Sequence, residues 1–185
     1  SASDGVTSEV GAGEGTLTLG YDFENVSGYA VARRALPVTW PDNFLLTVKV
    51  RGTGGINDLQ IKFTDADGSN VWWVQRPNFR ATGEWQTLRL RPRDVTFAWG
   101  PTEDKRLRTT QAVEIVMVRG RDGGAGTLEL DDLRLEPLPP PGPLPEPAAS
   151  DPAVLDGRSD TAVSLADSLV VDLGGRRELG GVVLD

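Results

Sequence analysis

Leu59-Gln60-Ile61-Lys62-Phe63-Thr64-Asp65-Ala66-Asp67-Gly68-Ser69-Asn70-Val71-Trp72-Trp73-Val74-Gln75 is two alternating runs around an Asp/Gly turn signal. Apolar Leu59, Ile61 and Phe63 interleave with polar Gln60 and Lys62, the period of a strand with one buried face. Asp65-Ala66-Asp67-Gly68 reads as the hairpin turn, because Asp bonds its own backbone and Gly takes positive φ without a Cβ clash. Closed symmetrically, the turn pairs Ile61 with Trp72 and Leu59 with Val74, all facing a core. Gln60, Lys62, Trp73 and Gln75 then share the opposite face. A slip of one residue would bury Gln75 without a partner, which disfavours it.

The same alternation extends on both sides of this hairpin. It appears at Leu17, Leu19, Tyr21 and Phe23, from Tyr29 to Leu36, and at Phe44, Leu46, Val48 and Val50. It returns from Trp85 to Leu90, Val113 to Val118 and Thr127 to Leu135, with Gly-rich turn signals at 51–55, 81–83 and 122–124 between runs. Eight or so short strands without a convincing helical period predict an all-β, antiparallel β-sandwich over residues 1–136. Thr102 to Gln111 fits either a helical turn or a long loop. In the last run Leu128 and Leu130 have one parity and Leu133 and Leu135 the other. One inserted residue brings all four to the core, so a bulge is predicted at Asp131-Asp132.

Seven of the 13 prolines fall within 137–147, a stretch that favours an extended polyproline-like spacer. The 38 residues that follow, 148–185, are too few for an ordinary independent domain. They read as a partial second β module, so the chain is expected to be a piece of a longer modular protein.

Composition narrows the chemistry. The formal charge is −8 with no basic run, which argues against nucleic acid as a partner, and no apolar run is long enough for membrane insertion. The chain has no cysteine and no histidine, which removes thiolate metal sites, the commonest zinc ligand and the commonest general base. No phosphate loop or nucleophile elbow is present. Carboxylate pairs such as Asp65 with Asp67 are better explained as turn chemistry than as a glycosidase acid and nucleophile. The expectation is a non-catalytic chain.

What remains is the face carrying Trp73. An indole stacks on the C–H face of a sugar ring, and amides and charges satisfy its hydroxyls. Trp73, Gln75, Gln60, Lys62, Arg76 and Asp58 are therefore the candidate glycan-binding residues. Arg33, Arg34 and Trp99 extend the site if their strands are neighbours. Two readings stand for Trp73, a platform for sugar or a core residue. Two stand likewise for Asp131 and Asp132, ligands of a cation or acids that satisfy the backbone of a bulge.

Residues 15–137 resemble a carbohydrate-binding module of the galactose-binding-like jelly-roll type. The likeness rests on Tyr21-Asp22-Phe23-Glu24, Asn70-Val71-Trp72-Trp73-Val74 and Leu130-Asp131-Asp132-Leu133-Arg134-Leu135. The resemblance implies a structural calcium held by Glu24 with Asp131 or Asp132, and a third acid at Asp22. Residues 148–185 resemble the opening of a discoidin-like domain of the coagulation factor V/VIII C type. That likeness rests on Val154-Leu155-Asp156-Gly157, Asp160-Thr161, Val170-Val171-Asp172-Leu173-Gly174 and Leu179-Gly180-Gly181-Val182-Val183-Leu184. Ala162 and Val163 stand where that family usually has a tryptophan. A cation in this second module would need Asp156 or Asp160 together with a later acid that the chain lacks.

Together the two resemblances imply a secreted, periplasmic or cell-surface module. It would bind a glycan or polysaccharide and be joined to the remaining domains of a polysaccharide-active parent protein. The competing expectation is a spacer or protein-interaction sandwich with no glycan ligand.

Overall fold

The computed structural model describes residues 1–13, 15–140, 143, 146–155, 161 and 168–174. Two compact units are present, Ser1–Pro140 and Pro141–Asp185.

The first unit is all-β. Its strands are β1 (Thr7–Gly13), β2 (Thr16–Asp22), β3 (Tyr29–Thr39), β4 (Phe44–Thr53), β5 (Asn57–Thr64), β6 (Val71–Phe79), β7 (Gln86–Leu90), β8 (Thr96–Trp99), β9 (Thr109–Val118) and β10 (Ala125–Pro137). They form two five-stranded antiparallel sheets, ordered β1-β2-β10-β4-β7 and β3-β9-β5-β6-β8. Most connections cross from one sheet to the other, the pattern of a jelly-roll sandwich. Every alternating run in the sequence became a strand. β1 and β8 did not stand out beforehand, since exposed Gly-rich Thr7–Gly13 and the four residues of β8 carry too little alternation. Thr102 to Arg108 is a loop, and β9 starts at Thr109.

The core lies where the inner faces meet. Leu19, Phe23, Val50, Leu59, Leu90 and Leu128 are fully buried there. Trp40 packs on Phe44 and edge-on against Phe63, with ring centroids 5.1 and 4.7 Å apart. Its indole N–H donates to Thr110 Oγ1 at 2.9 Å, so the polar edge of a buried ring is satisfied.

Two registers depart from expectation. The β5–β6 hairpin pairs Ile61 with Val74 and Phe63 with Trp72, two residues away from the symmetric closure. The cause is the turn. Asp65 to Asn70 form a six-residue loop, entered from Thr64 and left at Val71. The Asp65 carboxylate accepts from the Asn70 backbone N–H at 3.1 Å, the Asn70 amide at 2.6 Å and the Ser69 hydroxyl at 3.0 Å. A shift of two preserves side-chain parity, so the inward and outward faces are those expected.

In β10 the register shifts between Asp131 and Arg134, where Asp132 and Leu133 together oppose Val48. The expected bulge is present, with Asp132 in the left-handed region at φ 54°. Not all four leucines reach the core. Leu128 and Leu130 are buried and Leu135 packs against the core, but Leu133 is 46% exposed. It stands at the rim of a cavity of about 310 Å³ between the sheets, lined by Leu17, Val48, Ile61 and Phe63 among others.

The expected linker boundary also moves. Pro137 still pairs with Phe44, Leu138 N–H donates to the Asn43 carbonyl at 3.0 Å, and the Asn43 amide donates to Pro139 O at 2.6 Å. The first prolines are thus the end of the sandwich.

In the second unit Ala148–Ala149 (β11) pairs with Val171–Asp172 (β12), and a short 3₁₀ turn spans Pro152–Leu155. Asp156, Gly157, Asp160 and Leu179 to Leu184, which carry much of the discoidin-like resemblance, lie outside the described residues.

Candidate functional site

The outward face of the β3-β9-β5-β6-β8 sheet carries the candidate site. Cross-strand partners point to the same side of a sheet, so each row of side chains can be read from the register. One row runs across all five strands: Arg33, Glu114, Lys62, Trp73 and Thr96. At about 4.8 Å per strand it spans roughly 19 Å. A second row holds Val31, Val116, Gln60 and Gln75. A third holds Ala35, Ala112, Thr64, Val71 and Trp99. Val116 and Thr64 are each 1% exposed although they point away from the sheet-to-sheet core. The small side chains therefore form a floor beneath the longer ones.

The aromatic end is built by β6 and β8. A 3₁₀ turn at Pro92–Asp94, closed by the Asp94 carboxylate accepting from Arg91 N–H at 2.8 Å, delivers β8 to the edge of the sheet. Ala98 is an extra residue in the β6–β8 pairing, which turns Trp99 to the same side as Trp73. The two indoles meet edge to face with centroids 5.5 Å apart and planes at 90°. Trp73 is half-buried and Trp99 is 47% exposed. Trp72, one residue away, is 6% exposed on the inner face, where its indole N–H donates to Lys105 O at 2.7 Å.

The charged part comes from β3, β9 and β5. Arg33 Nη1 donates to Glu114 Oε1 at 2.6 Å. Lys62 Nζ lies 5.3 Å from the Trp99 ring centroid, within cation–π range. Burial pushes the Lys62 ammonium below its ordinary pKa, and the neighbouring Glu114 carboxylate works in the opposite direction. Gln60 and Gln75 face each other across the strands beside this charged row.

Of the six glycan-binding candidates, Trp73, Gln75, Gln60 and Lys62 share this face with Asp58. The Asp58 carboxylate is engaged: it accepts from Asn78 N–H at 2.8 Å and holds a β6 irregularity in which Asn78 has φ 54°. Arg76 does not belong to the group. It pairs with Leu59 and has the parity of Trp72 and Val74, so its side chain starts from the inner face. Arg33 and Trp99 join the face, whereas Arg34 has inner parity and lines the cavity between the sheets. Glu114 and Thr96 were not singled out in the sequence. Glu114 had a signal, as the polar break with outward parity in the Val113–Val118 run.

The cation site expected at Glu24, Asp131 and Asp132 does not assemble. Asp22, two residues before Glu24, faces Ala125, at the start of β10. Asp131 lies six residues farther along that strand, roughly 20 Å away at the rise of a strand. Asp132 is instead bound by Lys49 Nζ at 3.1 Å and by the Arg134 guanidinium, cations that hold its carboxyl below the ordinary range. Asp131 Oδ1 accepts from Asp132 N–H, the backbone role that a bulge requires. Among the described residues no group of three or more acids could hold a metal ion. These three residues do not fit calcium.

No protein-family model matches the chain, and no curated protein sequence is similar to it. Solved structures are similar in fold. One is the family 11 carbohydrate-binding module of Clostridium thermocellum in complex with a beta-1,3-1,4-mixed-linked tetrasaccharide. It has a TM-score of 0.55 and 13% identity over 74% of this chain and 86% of that one. Another is the same family's module of the cellulosomal cellulase Lic26A-Cel5E of Clostridium thermocellum. It has a TM-score of 0.54 and 12% identity over 75% of this chain and 86% of that one. At such identities the likeness establishes the jelly-roll fold.

Proposed function

We propose that Ser1–Pro140 is a non-catalytic carbohydrate-binding module whose glycan lies across the row from Arg33 to Trp73 and Trp99. The observation that carries this reading is the paired indoles on an open sheet face, with donors and acceptors beside them in cross-strand register. A half-exposed indole stacks on a ring face, while Gln60, Gln75 and Lys62 bond the rim. The fold shared with the family 11 carbohydrate-binding modules of Clostridium thermocellum, one of them in complex with a tetrasaccharide, supports the same reading. The parent protein acts on polysaccharide outside the cell or at its surface, and other domains supply the chemistry. Among the described residues no helix is long and apolar enough to cross a membrane.

Affinity electrophoresis of the chain through gels containing single polysaccharides tests the proposal. Retardation by at least one glycan, lost in the double variant Trp73→Ala/Trp99→Ala with an unchanged melting curve, is expected. No retardation in any gel favours a spacer sandwich.

A further inference from the structure

Trp99 ends β8, a strand of four residues on the edge of its sheet. Its pairing with Val71 lies beyond the register shift that follows the Trp72–Phe97 and Trp73–Thr96 pairs. The ladder alone thus gives this half-exposed indole little support. A loosely held ring would have to be ordered when a sugar binds, and that ordering opposes binding.

A second support comes from Asn70. Thr102 N–H, three residues after Trp99, donates to Asn70 Oδ1 at 2.9 Å. Between them Gly100, at φ 137°, lies against the same residue. A Cβ there would stand 2.4 Å from Asn70 Oδ1 and 2.7 Å from Ser69 O, so the close approach and the backbone angle both require glycine. Asn70 is itself held from the other side. Its Nδ2 donates to Asp65 Oδ2 at 2.6 Å, and its backbone N–H donates to the same oxygen at 3.1 Å. Both ends of the amide are engaged, the donor on the β5–β6 turn and the acceptor on the segment leaving β8. Asp at this position would lack the donor, and Ala would lack both.

Resting on the carbohydrate-binding reading above, we propose that Asn70 is a positioning residue of the glycan face. It clasps the β5–β6 turn to the exit of β8 and so holds Trp99 edge to face with Trp73 before the sugar arrives. Its polar side-chain atoms are engaged within the protein, so its effect on the glycan passes through Trp99. Order established before binding strengthens it, because less freedom is lost on association.

The experiment reads the indoles directly. The whole chain, labelled with 5-fluorotryptophan, gives a fluorine resonance for each of its five tryptophans, and Trp99→Phe and Trp73→Phe identify the two of interest. In Asn70→Ala the Trp99 and Trp73 resonances should move, while those of Trp40 and Trp85 stay in place. The exchange Asp65→Asn/Asn70→Asp reverses donor and acceptor and keeps an acceptor for Thr102 N–H, so it should return both resonances to their parent positions. Retardation in gels containing mixed-linkage β-glucan, xylan or galactan should weaken about three- to tenfold in Asn70→Ala, the scale of ordering one side chain on binding, and recover in the exchange. A Trp99 resonance unmoved in Asn70→Ala overturns the assignment, as does an exchange that behaves like Asn70→Ala. Movement of Trp40 and Trp85 as well makes Asn70 a residue of the fold at large and also overturns it. Resonances that move and recover, with equal retardation of parent and Asn70→Ala, overturn the link to the glycan. A parent chain retarded in no gel overturns the carbohydrate-binding reading, and the resonances, which need no sugar, still decide whether Asn70 positions Trp99.

Discussion

Trp72 and Trp73 are adjacent, identical in chemistry, and opposite in fate. Strand parity sends Trp72 into the core against Phe97, at 5.5 Å between centroids, and Trp73 outward against Trp99. Trp72→Ala is expected to lower the unfolding free energy by about 3–5 kcal/mol in a urea titration, since a large cavity opens and Lys105 O loses its donor. Trp73→Ala should leave the urea midpoint nearly unchanged and reduce glycan retention about tenfold, the scale of one lost stacking contact with its buried area. The reverse pattern in the two variants would place the glycan elsewhere. Asp132 is a second residue whose identity is set by geometry. At φ 54° an Asn is tolerated and a β-branched side chain is strained. Asp132→Val should therefore cost about 1–3 kcal/mol more in stability than Asp132→Asn, measured by the same titration. Equal losses would assign the role of Asp132 to its contacts with Lys49 and Arg134 alone.

The β5–β6 hairpin illustrates how an element is set by its turn. Asp65 is partly buried, which by itself raises a carboxyl pKa, but the Asn70 amide and N–H and the Ser69 hydroxyl hold it below the ordinary value. A carboxylate with a depressed folded-state pKa contributes stability that is present above its unfolded value and lost as pH falls through the folded one. The stability difference between the parent chain and Asp65→Ala should accordingly be full at neutral pH and shrink as pH falls below about 4. Thermal melts of both proteins across that range measure it, and a gap independent of pH would remove the carboxylate from the turn's energetics. This element was legible in part. The faces of Leu59 to Phe63 and Trp72 to Gln75 follow from period two alone. The pairing does not, because a four-residue and a six-residue turn differ by two positions and leave every side chain on its expected face.

Across the whole molecule, the sandwich is closed by residues that composition had assigned to a linker. A chain ending after Pro140 should melt at the temperature of the intact first unit. One ending after Glu136 loses the Pro137 pairing with Phe44 and both Asn43 contacts, and should melt a few degrees lower, the shift expected for about 1 kcal/mol. Coincident melting curves for the two would return those prolines to the linker. The sequence alone determined the all-β class, the strands with strong alternation, the bulge in β10 and the outward parity of Gln60, Lys62, Trp73 and Gln75. These are local properties, written in a period of two residues and in turn chemistry. Tertiary structure alone decided which strands are neighbours. It brought Trp99 to Trp73 and Arg33 to Glu114, across 26 and 81 positions of sequence respectively. It separated Asp131 from the end of β2 that leads to Glu24. Strand order and register arise from the packing of two sheets over one core, and no single segment of the chain encodes them.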